Sequence, residues 1–133
     1  MATGTRSSPW LSAGGNLESQ ADFVVQRAQA PSAPTSLTQF RSDGVTGIAL
    51  GGSISETTVV MKGGVSDPNG DALQLEVEAR LVGASFSNAP TCTSGPAVAS
   101  GQTAQATCTG LADGSYHWQA RAKDSQGLTS PWL

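Results

Sequence analysis

Between Ala72 and Val82 the chain alternates. Leu73, Leu75, Val77, Ala79 and Leu81 share one parity, and Gln74, Glu76, Glu78, Arg80 and Val82 share the other. Side chains two apart in an extended backbone fall on one face, so this pattern predicts a strand with one buried side. Ser115 to Lys123 repeats it, with Tyr116, Trp118, Ala120 and Ala122 opposed to His117, Gln119, Arg121 and Lys123. Thr57 to Val65 is a third, carrying Val59, Met61 and Val65 on one parity. Weaker strand signals lie at Ser36–Arg41, Gly47–Leu50, Ser85–Ala89 and Gln102–Thr109. Turn-forming runs separate them: Ser42-Asp43-Gly44, Asp67-Pro68-Asn69-Gly70-Asp71, Ser94-Gly95-Pro96, Ala112-Asp113-Gly114 and Asp124-Ser125-Gln126-Gly127. No stretch sustains a helical period. The expectation is an all-β, antiparallel sandwich with one core.

Three segments narrow the class. Leu111-Ala112-Asp113-Gly114-Ser115-Tyr116-His117-Trp118 resembles the entry to strand F of a fibronectin type III or immunoglobulin-like domain. Val65-Ser66-Asp67-Pro68-Asn69-Gly70-Asp71 resembles the B–C connection of bacterial extracellular domains of this class, and Pro31-Ser32-Ala33-Pro34 their proline-rich entry to strand A. The resemblance spans Pro31 to Leu133. It implies a tyrosine corner at Tyr116, and strands A at 36–41, B at 57–65, C at 72–82, C′ at 85–91, E at 102–109 and F at 115–123. It implies a fold and no ligand.

Ser8-Pro9-Trp10-Leu11 recurs as Ser130-Pro131-Trp132-Leu133, and two of the three tryptophans lie inside this echo. A repeated segment at the two ends points to a chain cut out of phase from a repeating unit. Residues 1–30 then read as a G-like strand and linker, and 31–133 as a sandwich lacking most of its own G strand. Three arrangements compete: the N-terminal strand closes its own domain, completes a neighbouring copy, or is left from a preceding domain. Closing its own domain needs Gln26–Ser36 nearly straight, because eleven residues reach at most about 36 Å and such a sandwich is about 30 Å long. The expectation is donation in trans, with copies of the chain as partners in a head-to-tail fibre, pilus-like filament or surface stalk. Trp10, Phe23 and Val25 are the expected donor anchors; Tyr116, Trp118 and Ala120 line the expected acceptor groove.

The chemistry the chain offers is sparse. Charged residues are 13% with a formal net charge of −3, which argues against a nucleic-acid partner. No apolar run approaches the roughly 20 residues that span a bilayer. Cys92 and Cys108 lack a CxxC partner, and the single histidine, His117, cannot complete a zinc site. They read as a disulfide suited to an extracellular or cell-surface setting, with two buried thiols as the alternative. His117 has no nucleophile at a useful spacing, and Glu76 and Glu78 read as outer-face partners of Arg121 and Lys123. No catalytic residue and no cofactor is expected. Asp67, Asn69 and Asp71 offer oxygens at alternate positions, with Asp124 at the same pole; they are weak calcium candidates beside a sequence that already makes a good turn. The second functional reading is an adhesive or carbohydrate-binding accessory module of a larger secreted protein.

Overall fold

The computed structural model describes Phe23, Val25 and residues 27–133. Six strands are present among them: β1 (Thr35–Arg41), β2 (Val59–Gly64), β3 (Leu73–Leu81), β4 (Thr93–Ser94), β5 (Thr103–Cys108) and β6 (Tyr116–Asp124). One sheet has the order β1-β2-β5-β4 and the other pairs β3 with β6, every pairing antiparallel. Residues 128–133 add to the outer side of β6. Asp124 N–H donates to Leu128 O, Ser130 N–H to Ala122 O, and Ala120 and Leu133 exchange bonds of 3.1 and 2.8 Å. With that segment counted as the start of G, the order is ABED on one layer and CFG on the other, which is an immunoglobulin-like sandwich.

The parity of each strand sets the core. Leu73, Leu75 and Val77 of β3 and Ala120 and Ala122 of β6 are 0% exposed, and they face Val59, Met61, Ala104, Ala106 and Cys108 of the other sheet. Alanines opposite leucines let the two layers approach closely. Gly63 serves the same end, because a Cβ there would lie 2.7 Å from Leu37 Cδ2.

Two weak strand signals behave differently. Gly47–Leu50 forms no strand; Gly47 bridges Phe40, and Ile48 N–H donates to Gln39 O, so this stretch folds back over the outer edge of β1. The expected C′ strand at 85–91 is absent. That segment is a loop, with Gly83 and Asn88 at φ 99° and 63°, and the fourth strand forms later, at Thr93–Ser94 against β5. The cause is Glu78, whose carboxylate gathers the loop's N–H groups as described below.

The β4–β5 register pairs Thr93 with Thr107, which sets Cys92 opposite Cys108, and the two form a disulfide with Cα atoms 4.5 Å apart. Residues 91–98 also bond to β3, through Cys92 N–H to Val77 O and the Leu73–Val98 pair. The disulfide thus fixes 91–98 to β5 of its own sheet, and main-chain bonds carry the same segment across to β3, closing one seam between the layers. Reduction of this disulfide, which spans a sequence separation of 16, is expected to lower the unfolding free energy by about 3 kcal/mol. Urea unfolding with and without reductant measures it.

Candidate functional site

Two places carry unused bonding capacity. The first is the pole where β3 begins and β6 ends. Leu73 pairs with Asp124, so the turn before β3 and the turn after β6 lie side by side. Asp67 Oδ2 accepts from the N–H groups of Asn69 and Asp71 at 2.9 and 3.2 Å, and Gly70, at φ 74°, closes the turn onto Asp67 O. Asp124 Oδ1 accepts from Gln126 and Leu128, both at 2.9 Å. Each aspartate spends one oxygen on its own turn. The other oxygens, Asp67 Oδ1 and Asp124 Oδ2, are buried without a partner among the described residues. Asp71 joins them, and one carboxylate oxygen from each of the three lies within 4.8 Å of the rest. Burial, then the charges of Asp67 and Asp124, raise the Asp71 carboxyl above its ordinary range.

Asn69 stands apart from this cluster. Its Oδ1 accepts from Gln29 N–H at 2.7 Å and its Nδ2 donates to Arg27 O at 3.4 Å, so it clasps the incoming chain. The oxygen set is therefore Asp67, Asp71 and Asp124, not Asp67, Asn69 and Asp71. Asp124 lies at this pole as expected, because Leu73 pairs with it; what spacing did not tell is that Asn69 turns to the incoming chain.

The second place is the seam between β1 and β6, opposite the disulfide. Tyr116 makes the expected corner, its hydroxyl donating to Ala112 O at 2.9 Å. Trp118 Nε1 donates across the seam to Gln39 Oε1 at 2.9 Å. Beside it lies an open groove of about 370 Å³, lined by Leu37, Gln39, Phe40, Ile48, Leu50 and Trp118. Even-numbered residues of β6 point their main-chain groups away from β3. Those of Ala120, Ala122 and Asp124 are taken up by residues 128–133. Those of Tyr116 and Trp118 have no partner among the described residues. Ala120 thus drops out of the expected acceptor, its edge filled by Leu133. Of the expected donors, Trp10 lies outside the described residues, while Phe23 and Val25 are 67% and 80% exposed.

Several other polar and aromatic groups are engaged in structure, while Trp132 Nε1 is buried without a partner among the described residues. His117 bonds Ala84 O at 2.9 Å and stacks on Phe86. Lys62 sits over Phe40 and Arg121 over Trp132, while Arg121 also pairs with Glu76 at 2.7 Å. Glu78 corrects an expectation: it is on the outer parity of β3 yet 0% exposed, because the loop after β3 covers it. Ser87 and Asn88 N–H, Arg80 Nε and Gln119 Nε2 all donate to it at 2.7–2.9 Å.

No family model matches the chain, and no curated protein does. Among solved structures it is similar to the PKD domain of an M14-like peptidase from Thermoplasmatales archaeon SCGC AB-540-F20. The identity is 25% over 80% of this chain and 91% of that one, with a TM-score of 0.48. The fold assignment rests on strand order and not on that likeness.

Burial alone would push the Glu78 carboxyl up. The Ser87 N–H, with Arg80, Gln119 and the Ser87 hydroxyl, outweighs it and holds the group at about 2 against an ordinary 4.5. A depressed folded-state pKa gives stability that is present above the unfolded value and lost as pH falls towards the folded one. Asp43, held at about 2 by the Thr46 hydroxyl and the Thr46 and Val45 N–H groups, adds to the same acid slope. Glu78→Gln is expected to be less stable than wild type at neutral pH and to show a shallower loss between about pH 4.5 and pH 2. Unfolding curves of the two proteins across that range check it.

Proposed function

We propose that this chain is a non-enzymatic extracellular structural module, and that copies join head to tail by lending residues around Phe23 and Val25 to the open seam of a neighbour. The observation that carries this reading is the Tyr116–Trp118 edge, unpaired among the described residues, beside an apolar groove. An edge of that kind is a template for another strand. Among the described residues, 46–48 cover the end of the outer edge of β1 and 91–98 close the opposite seam, which leaves the Tyr116–Trp118 edge as the place that lies beside an apolar groove.

Reach supports a neighbour over self-closure. Arg27 and Gln29 are held at Asn69, at the pole where β6 ends. Trp118 lies six residues back along β6, about 20 Å at 3.3 Å per residue. Phe23 is four residues from Arg27, a reach of at most about 14 Å. Phe23 and Val25 therefore fall short of their own Trp118, and their exposure fits side chains that await another surface. The disulfide supports an oxidising, extracellular setting.

Sedimentation over a wide concentration range tests the reading. The wild-type chain is expected to associate as concentration rises, and Phe23→Ser/Val25→Ser to remain monomeric with an unchanged fold. A wild-type chain that stays monomeric at several hundred micromolar sinks it.

A further inference from the structure

We propose that Asp67, Asp71 and Asp124 form a calcium site that fixes the joint between the sandwich and the chain entering it. The site follows from the two orphaned oxygens. Asp67 is 7% and Asp124 4% exposed, and each leaves one buried carboxylate oxygen without a partner, in a cluster with Asp71. A buried polar atom without a partner is costly, and a buried charge more so. The turns do not demand that cost. Each uses a single acceptor oxygen, and an asparagine would supply one without charge. What the second oxygens add is negative charge converging on one point, together with that of Asp71. Among the described residues no lysine or arginine forms an ion pair with any of the three.

Donor type favours a hard cation, because all three ligands are carboxylates. Oxygens bound to one Ca²⁺ at 2.3–2.6 Å can lie up to about 5 Å apart. The three oxygens, all within 4.8 Å of one another, lie inside that span. Three carboxylates leave part of a six- to eight-fold shell to water, which places the affinity in the weak class of extracellular modules, about 10⁻⁴–10⁻³ M. The link to the joint is the turn itself. Asp67 and Asp71 flank Asn69, which holds Gln29 and Arg27, and Ser66 O accepts from Ser32 N–H at 3.0 Å. An ion that holds 67–71 rigid also holds the clasp. The site is independent of strand donation, so either can fail alone.

The test uses the full chain stripped of metal, titrated with Ca²⁺ or Mg²⁺ up to about 10 mM. Expected for Ca²⁺ are a saturable binding heat, a rise in Tm of at least about 3 °C, shifts of the Asp71, Gln126 and Leu128 amides, and slower hydrogen exchange at Gln29. Mg²⁺ should do markedly less. Asp71→Asn is the clean variant, because that side chain makes no hydrogen bond among the described residues; it should fold and lose Ca²⁺ affinity about tenfold or more. Absence of saturable heat and of any Tm shift overturns the site, as does Asp71→Asn binding like wild type. Binding that leaves Gln29 exchange unchanged overturns its role in the joint.

Discussion

The antiparallel register of β3 and β6, nine successive pairs from Leu73–Asp124 to Leu81–Tyr116, is the constraint on which the rest of the molecule depends. One end brings two acidic turns to the same pole. The other end sets the tyrosine corner, from which β6 leaves with its edge uncovered. Between them the register aligns Leu73, Leu75 and Val77 with Ala120 and Ala122 on the core side and Glu76 with Arg121 on the other. A slip of one residue would turn every core side chain outward. It would also part Asp124 from Asp67, so fold and site are specified by one set of contacts.

The two layers are held together unequally at their seams. Near β4 the disulfide and the 91–98 main chain leave no room for another strand. Near β1 the layers meet through little more than the Trp118–Gln39 bond and the groove beside it. Among the described residues, no strand supplies along Tyr116 and Trp118 the apolar contact that a full seventh strand gives a sandwich. That asymmetry is the feature on which the proposed strand exchange rests.

Alternation made β2, β3 and β6 legible, because burying one face of a strand imposes period two regardless of what lies beyond it. The resemblance of 111–118 to the entry of strand F implied the Tyr116 hydroxyl bond, and the lack of other partners favoured the Cys92–Cys108 bridge. What the sequence concealed were long-range coverings. Parity put Glu78 on the outer face correctly, but parity says nothing of a loop that later folds over that face and exchanges exposure for five donated hydrogen bonds. The same blindness turned residues 85–91 into a strand and, with Asp124 set at the right pole, still counted Asn69, which clasps the incoming chain, among the calcium candidates. In each case the deciding partner sits across a sheet pairing or a loop closure that spacing along the chain does not encode.

The repeated tetrapeptide takes on a definite physical meaning through its C-terminal copy. Ser130 Oγ accepts from Ala122 N–H at 2.9 Å and donates to Pro131 O, Trp132 lies under Arg121 at 4.4 Å, and Leu133 pairs with Ala120. Ser-Pro-Trp-Leu is thus a unit that docks on the final residues of β6. Ser8-Pro9-Trp10-Leu11 carries the same groups, so one edge cannot tell the two copies apart by chemistry. Tether length decides between them. Ser130 follows β6 by a short turn, and a short loop confers a high effective concentration that a separate chain does not match. In the proposed head-to-tail arrangement a visiting N-terminal copy would therefore lose the Ala120–Asp124 edge to the resident one, which would remove Trp10 from that slot in a neighbour. What the described residues leave open is the Tyr116–Trp118 stretch, and on that proposal the apolar residues to fill it are those that follow the tetrapeptide, Phe23 and Val25, rather than the tetrapeptide itself.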